Sequence, residues 1–97
     1  MGIKVFWTPK AVETFNQVIN YLSVSWNEQV ISDFVSKTKG TITLLETGKV
    51  KFRATEKKQV HEVLVTQHNL LIYRVKKTHI ELLRFYDTRQ NPNKKKV

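Results

Sequence analysis

The stretch HNLLIYRVKKTHIELLRFYDTRQNP, residues 68–92, decides the fold that this sequence predicts. Two runs of mainly apolar residues, 70–75 and 80–86, lie on either side of a polar Lys77-Thr78 pair. Apolar runs of this length around a two-residue polar break are typical of a β-hairpin. The sequence therefore predicts two antiparallel strands in the second half of the chain.

A turn at Lys77-Thr78 also predicts which residues of the hairpin face each other. The predicted pairs are Lys76 with His79, Arg74 with Glu81, and Ile72 with Leu83. Successive side chains of a strand point to opposite sides, so this register divides the hairpin into two faces. The face assigned to the core carries Leu71, Tyr73, Val75, Ile80, Leu82, Arg84 and Tyr86. The face expected to be open carries Leu70, Ile72, Arg74, Lys76, His79, Glu81, Leu83 and Phe85.

The first half of the chain predicts a strand at residues 3–7 followed by two helices. Thr8 is a suitable cap for the first helix, and Pro9 fits its first position, where a missing N–H costs nothing. Spacings of three and four give this helix an apolar face of Phe15, Ile19, Leu22 and Trp26. The second helix has a similar face of Val30, Phe34, Thr38, Thr41, Ile42 and Leu45. The short break at residues 25–27 predicts an antiparallel helical hairpin.

Gly48 ends the second helix, and three strands are predicted after it, at residues 60–66, 70–76 and 79–86. Residues 50–53 are a candidate for one further short strand, which is not counted in this order. The order β-α-α-β-β-β predicts an α+β fold, in which a helical hairpin packs on one face of a mostly antiparallel sheet. The other face is then free to meet a partner. A chain of 97 residues predicts a single domain, 1–97, with residues 91–97 as a flexible basic tail.

Positive charge is concentrated in the second half of the chain. The formal net charge is +9, and residues 51–97 carry twelve Lys and Arg against four acidic residues. A basic field of this kind attracts polyanions, so nucleic acid, a ribosome or an acidic protein is the expected partner.

The absence of cysteine excludes disulfides and thiolate chemistry, and no apolar run approaches the roughly 20 residues of a membrane span. We expect a cytoplasmic protein with no membrane partner.

The motifs of metal, cofactor and small-molecule sites are not found in the sequence. His61, His68 and His79 lack metal-ligand spacing, and the three glycines form no phosphate-binding loop. Cleavage of RNA through its 2′-hydroxyl remains conceivable, since it needs only cations and a group that carries a proton. The candidate cations are Lys51, Arg53, Lys57, Lys58, Arg74, Arg84 and Arg89. The candidate proton carriers are His61, Glu62, His68 and Tyr86. Because the sequence has neither metal-ligand spacing nor a phosphate-binding loop, we expect no cofactor and no metal.

Three runs carry a family resemblance: LLIYRV (70–75), IELLRF (80–85) and DTRQNP (87–92). With the strand ending at Trp7 and the apolar stripe of the first helix, they resemble the RelE/ParE superfamily of type II toxin–antitoxin toxins. The C-terminal runs resemble its ParE-like plasmid-stabilisation branch. The resemblance implies a bacterial toxin that arrests growth and is neutralised by a cognate antitoxin. ParE-like members poison DNA gyrase, whereas RelE-like members cut mRNA in the ribosomal A site.

The same resemblance bears on individual residues. Arg89 falls where the mRNA-cleaving members carry an Arg after the last strand, but Leu70 stands where they usually carry another Arg, and no Tyr follows Arg89. These differences favour a toxin that acts by binding its target, possibly DNA gyrase. The alternatives are a ribosome-dependent mRNA endoribonuclease and a non-toxic interaction module. The expected target- or antitoxin-binding residues are Lys51, Arg74, Lys76, Arg84 and Arg89. The catalytic candidates, if the protein is a nuclease, are His61, Arg74, Arg84 and Arg89.

Overall fold

The computed structural model describes residues 2–89. Over this part of the chain the elements are β1 (Lys4–Trp7), α1 (Pro9–Ser25), α2 (Glu28–Glu46), β2 (Arg53–Ala54), β3 (Val60–Leu64), β4 (Asn69–Val75) and β5 (His79–Asp87). The predicted α+β order is confirmed, with β2 as an additional strand of two residues. The candidate strand at 50–53 overlaps β2 only at Arg53. The tail predicted at 91–97 lies outside the described residues.

The strands form one sheet in the order β1-β5-β4-β3-β2. β1 runs parallel to β5, while the other neighbours are antiparallel, so the sheet is mostly antiparallel as predicted. Its first and last strands are therefore neighbours, although they lie at opposite ends of the sequence. Neither α1 nor α2 is long and apolar enough to cross a membrane, and residues 2–89 contain no other helix.

Both helices begin directly after a residue whose side chain caps the first turn. The Thr8 hydroxyl accepts a hydrogen bond from the Ala11 amide at 3.1 Å, and the Asn27 side chain accepts one from the Val30 amide at 3.1 Å. These side chains satisfy amides that would otherwise have no partner in the first turn. The core between the helices and the sheet includes Ala11, Val18, Leu22, Phe34, Leu45, Leu71, Tyr73, Leu82 and Phe85.

The expectation that Trp26 continues the buried face of α1 is wrong. The helix ends at Ser25, and the Trp26 side chain is 47% exposed. The buried positions of α1 are Ala11, Thr14, Val18 and Leu22, a stripe offset from the predicted one but sharing Leu22. The regular spacing that reaches Trp26 continues past the point where the backbone leaves the helix, so Trp26 does not share the direction of the stripe.

The hairpin register is correct at its tip and wrong further along. Arg74 pairs with Glu81, and the Lys76 amide donates to the His79 carbonyl at 2.9 Å. Tyr73 then pairs with Leu82, but Ile72 pairs with Arg84 rather than with Leu83. Leu83 is thus the extra residue of a β-bulge, which places two residues of one strand opposite one residue of the other.

The bulge exchanges the two faces of β5 beyond Leu83, because one extra residue reverses the alternation. Phe85, predicted on the open face, is 2% exposed and belongs to the core beneath the helices. Arg84 and Tyr86, predicted for the core, pair with Ile72 and Leu70 on the side of the sheet away from the helices. The predicted assignment of these three residues is therefore wrong.

The bulge lies where the neighbour of β5 changes from a strand to a helix. β1 ends at Trp7, opposite Leu82. Beyond that point, two hydroxyl groups from the beginning of the adjoining helix form hydrogen bonds with the backbone of β5. The Thr8 hydroxyl donates to the Leu82 carbonyl at 2.7 Å, and the Thr14 hydroxyl accepts from the Phe85 amide at 2.9 Å. Side chains of α1 and its cap therefore replace the missing strand ladder.

Candidate functional site

The side of the sheet away from the helices carries a cleft of about 460 Å³, which we call the open-face cleft. Its floor is apolar and consists of Val60, Leu70, Ile72 and Leu83. The loop between β2 and β3 supplies one wall through Thr55, Glu56 and Lys57, and Glu62 and Arg84 complete the lining. An apolar floor with a few charged groups at its rim is the usual composition of a binding site.

Arg84 is the arginine of this cleft. Its guanidinium lies over the ring of Tyr86, 4.8 Å from the ring centre. The Nε atom of Arg84 and the hydroxyl of Tyr86 are both buried, and neither has a hydrogen-bond partner in residues 2–89. Buried donors without a partner are unusual in folded proteins and cost free energy. Arg84, which lines the cleft, therefore has hydrogen-bonding capacity that no residue within 2–89 uses.

The other described arginines each have a carboxylate partner. Arg53 lies 3.6 Å from Glu62, Arg74 lies 3.9 Å from Glu81, and Arg89 lies 2.8 Å from Asp87. Arg84 makes no such pair within residues 2–89. Its charge acts at longer range on Glu13, whose pKa is lowered first by the hydrogen bond from Lys10 and only to a lesser extent by Arg84.

A basic surface lies at the tip of the β4–β5 hairpin. The Val75 amide donates to the Gln59 carbonyl at 2.9 Å, which holds the β2–β3 loop against the tip. This contact gathers cations from both segments, and we call them the tip cluster: Lys57, Lys58, Arg74, Lys76 and Lys77. Lys51, which precedes β2, is exposed but lines neither the cleft nor the tip. The loop lysines were candidates only for RNA cleavage, and their position beside Arg74 and Lys76 depends on the tertiary fold.

Arg89 is engaged by the fold itself. Its backbone amide, Nε and guanidinium NH₂ donate to the Asp87 carboxylate at 2.9, 3.1 and 2.8 Å. The Asn69 amide donates to the same carboxylate at 2.8 Å, and the guanidinium lies 4.6 Å from the ring centre of Trp26. We call Trp26, Asn69, Asp87 and Arg89 the Asp87 latch. Apart from the Asp-x-Arg sequence at the end of β5, the spacing of these four residues in the sequence does not predict that they contact one another.

The latch shifts the pKa of both charged partners. The Asp87 side chain has no exposed surface, and burial alone raises its pKa. Hydrogen bonds from Arg89 and Asn69 outweigh this effect and bring the pKa of Asp87 below its usual range. The hydrogen bonds between Arg89 and Asp87 also raise the pKa of Arg89. Both groups are therefore charged at neutral pH.

Solved structures of toxins share this fold. A chain of the chromosomal ParDE TA system from P. aeruginosa has a TM-score of 0.72 and 18% identity, covering 88% of this chain and 95% of that chain. A copper-bound mutant toxin from Helicobacter pylori has a TM-score of 0.64 and 16% identity, covering 91% and 97%. A chain of the E. coli DinJ-YafQ toxin-antitoxin complex has a TM-score of 0.62 and 11% identity, covering 92% and 96%. No protein-family model and no curated protein matches the sequence. The chain has the fold of RelE/ParE toxins.

On this RelE/ParE fold the nuclease candidates do not form one cluster. Arg84, Tyr86, Lys57 and Glu62 lie on the open face. His61 lies on the other side of the sheet, where its ring stacks on Tyr73 at 5.5 Å and its Nδ1 atom is 3.1 Å from the Phe52 carbonyl. His68 lies with Arg89 beside a cleft of about 270 Å³ at the exit of β5. His61 and Arg84 are therefore separated by the sheet.

The histidines also form no metal centre with the acidic residues. No group of three His, Asp or Glu side chains within residues 2–89 is placed to hold a metal ion. The chemistry that the described residues of this RelE/ParE fold offer is that of hydrogen bonds and charge. The open-face cleft with Arg84 is the candidate site of this kind on the side of the sheet away from the helices.

Proposed function

We propose that this protein is the toxin of a type II toxin–antitoxin system, neutralised by a cognate antitoxin in the bacterial cytoplasm. The support comes from the fold, which this chain shares with chains of the ParDE system and of the DinJ-YafQ toxin-antitoxin complex. The toxin arrests growth by binding a cellular protein, and DNA gyrase is the target that the ParE-like runs of the sequence favour. The observation that carries this proposal is Arg84 at the rim of the open-face cleft, which has no carboxylate partner within residues 2–89.

The cleft favours a protein partner. Its rim carries the acidic residues Glu56 and Glu62 beside Lys57 and Arg84, so its charge is mixed. The acidic groups would repel a phosphate chain laid along the cleft, whereas an apolar side chain fits the floor of Val60, Leu70, Ile72 and Leu83. A carboxylate of the partner would then pair with Arg84, and a hydrogen bond to a charged group contributes about 1.5–3 kcal/mol.

The remaining site residues have different parts in this proposal. Arg74 and Lys76 would contribute long-range attraction from the hairpin tip, since Arg74 already has Glu81 as a partner. Lys51 would add to the same basic field. Arg89 would act indirectly, by holding the exit of β5 in place through Asp87. Arg84 is therefore the residue whose loss should reduce target binding most.

Cleavage of mRNA is the second candidate function. One observation favours it: the guanidinium of Arg84 stacks on Tyr86, next to a cleft lined by Lys57 and Glu62. These groups would supply cations and a proton carrier on one face. Leu70 opposes it, because this apolar residue lies on the cleft floor beside Tyr86, at the position where the mRNA-cleaving toxins that the sequence resembles usually carry an Arg. The separation of His61 and Arg89 from this face opposes it further.

Controlled expression in bacteria tests the proposal. We expect the wild-type protein to arrest growth, with co-expression of the antitoxin restoring it. Arg84→Gln should raise the concentration needed for target inhibition about 10- to 100-fold, which corresponds to the loss of one charged hydrogen bond. Lys39→Gln is the matched control, because it removes the same charge from the exposed side of α2. If Arg84→Gln remains fully toxic at equal soluble level, the cleft is not the target site.

Two assays with the purified protein separate the targets. Inhibition of DNA supercoiling by gyrase, with transcripts intact during growth arrest, supports the protein-binding toxin. Primer extension that shows new mRNA ends after induction supports the endoribonuclease instead. A chain that binds an antitoxin but never slows growth would be a non-toxic interaction module, and the toxin proposal would then be wrong.

A further inference from the structure

The open-face cleft continues into a second cleft toward the edge of the sheet. This second cleft has a volume of about 300 Å³ and shares Glu62 and Leu70 with the first. It also contains Leu64, which is 58% exposed and follows the last pairing of β3 with β2 at Glu62. We call the two clefts together the cross-strand groove. It runs from Arg84 on β5 across β4 to Leu64 on β3, so it crosses three strands.

A row of three side chains with different chemistry lies across this groove. Glu62 pairs with Ile72 and Ile72 pairs with Arg84, so the three residues lie side by side on β3, β4 and β5. Neighbouring strands are about 4.8 Å apart, which places the backbones at Glu62 and Arg84 about 10 Å apart. Glu62 lies 3.6 Å from Arg53, but the Arg53 side chain is 83% exposed, so this ion pair is solvated and weak. The row therefore presents a negative, an apolar and a positive group in that order.

The backbone beneath the groove is already paired. β3 bonds β4 and β4 bonds β5, so a segment lying across these strands gains no backbone hydrogen bonds from the sheet. An extended segment would bury its own N–H and C=O groups against the apolar floor without partners, which costs free energy. An α-helix pairs these groups internally. The groove therefore favours a helix over an extended peptide.

The spacing of the row also matches a helix. Residues i and i+7 of an α-helix lie on the same face about 10.5 Å apart, close to the separation of the strands that carry Glu62 and Arg84. Residues on the same side of an extended segment are about 6.6 or 13 Å apart, and neither distance fits the row. Positions i+3 and i+4 of the helix then lie over Ile72 and the neighbouring floor residues Leu70 and Leu83.

We propose that the cross-strand groove binds an amphipathic α-helix of the target protein, with the helix axis across the strands. This helix carries an acidic residue at position i opposite Arg84, apolar residues at i+3 and i+4 over Ile72, and a basic residue at i+7 opposite Glu62. The order also places negative charge toward the helix N-terminus and positive charge toward its C-terminus, which the helix dipole favours. Leu64 extends the apolar contact at the end near Glu62. The inference rests on the proposed function in one respect, namely that the target is a protein.

Synthetic helical peptides test this inference without a cellular target. The probe is a fluorescent, alanine-rich peptide with glutamate at i, leucine at i+3 and i+4, and lysine at i+7. The comparison peptide has the same composition, but its leucines are moved to i+2 and i+5 on the opposite face of the helix. Fluorescence anisotropy measures binding to the full-length protein, and circular dichroism checks that both peptides are equally helical. We expect the probe to bind at least about 10-fold more tightly, because only its leucines reach the apolar floor.

Charge reversal tests the orientation of the helix in the groove. Glu62→Lys should weaken binding of the probe about 5-fold, and a probe with glutamate in place of its lysine at i+7 should restore the affinity. This restoration also shows that the variant is folded. Glu46→Lys is the matched control, because it reverses an exposed charge on α2, on the other side of the sheet, and it should bind the probe as the wild type does.

The outcomes separate this inference from the proposed function. Equal affinity for the two peptides, including no binding of either, would overturn the helix-binding groove, and so would a failure of the charge-reversed probe to restore binding to Glu62→Lys. If the protein still arrests growth in that case, the toxin proposal stands. Selective binding of the probe by a protein that never slows growth would support the groove and contradict the toxin proposal.

Discussion

The Asp87 latch predicts a large loss of stability from the substitution Arg89→Ala. Arg89 donates two side-chain hydrogen bonds, of 3.1 and 2.8 Å, to a carboxylate that has no exposed surface. The substitution leaves Asp87 buried with only two donors, the Asn69 side chain and the backbone amide of residue 89. The negative charge then has no positive partner close by, while its desolvation cost remains.

The magnitude follows from the burial of the two partners. Removing one partner of a buried pair costs about 3–5 kcal/mol. Arg89 is 21% exposed, so screening lowers this to about 2–3 kcal/mol. Loss of the guanidinium from the ring of Trp26 adds about 0.5–1 kcal/mol. The free energy of unfolding should therefore fall by about 3 kcal/mol, which lowers Tm by about 12–24 °C in a domain of this size.

Urea unfolding of Arg89→Ala, Asp87→Asn and the double variant measures this effect as a double-mutant cycle. We expect a coupling energy of about 1–3 kcal/mol. The control pair is Arg74 and Glu81, which are 3.9 Å apart and 41% and 27% exposed. Their coupling should be below about 1 kcal/mol. If Arg89→Ala costs no more than Arg74→Ala, the latch does not stabilise the fold, and Arg89 is available for direct contact with a target.

Three further predictions concern the same network and its surroundings. The pKa of Asp87 is lower in the folded protein than in the unfolded chain, where it is about 4, so the ionised carboxylate stabilises the fold at pH values above about 4. This stabilisation is lost as the pH falls through the pKa of Asp87 in the folded protein. In Asp87→Asn, the free energy of unfolding should therefore decline less steeply below about pH 4. Thr14→Val removes the acceptor of the Phe85 amide and should cost about 1–3 kcal/mol in urea unfolding, whereas Thr14→Ser should cost less. Tyr73→Phe removes the hydroxyl that accepts from the Phe52 amide at 3.0 Å, so hydrogen exchange of that amide should become faster while amides of α1 keep their protection. If Asp87→Asn leaves the pH dependence of stability below about pH 4 unchanged, the hydrogen bonds assigned to Asp87 are contradicted. Likewise, a free energy of unfolding unchanged by Thr14→Val, or a Phe52 exchange rate unchanged by Tyr73→Phe, would contradict the hydrogen bond assigned to that side chain.

Local signals predicted most of the fold. Thr8 and Pro9 place the start of α1, because capping and the missing proline N–H act within one turn. The polar pair Lys77-Thr78 places the tip of the hairpin, and the pairing of Arg74 with Glu81 follows from it. These features depend on residues close together in sequence. The confirmed α+β order is the sum of such local signals.

The site was predicted less well, because its parts are far apart in sequence. The sequence indicates Arg84 as a candidate, but regular strand alternation places it on the wrong face of the sheet. The latch joins Trp26 to Arg89 across 63 positions, and a regular helical spacing had placed Trp26 in the core. The tip cluster needs the β2–β3 loop to fold back onto the hairpin, which depends on the backbone of Gln59.

The sequence by itself determined the order of the elements, the helix starts, the hairpin tip and the concentration of charge in the second half. The tertiary structure alone decided which side of the sheet each residue of β5 occupies beyond Leu83. Assigning side chains of β5 to alternate faces assumes that its hydrogen-bond ladder with neighbouring strands is unbroken. On one edge of β5 this ladder stops where β1 ends, and the hydroxyls of Thr8 and Thr14 form hydrogen bonds with the β5 backbone instead. That one bulge moves Arg84 to the open face and buries Phe85 in the core, and it thereby creates the candidate site.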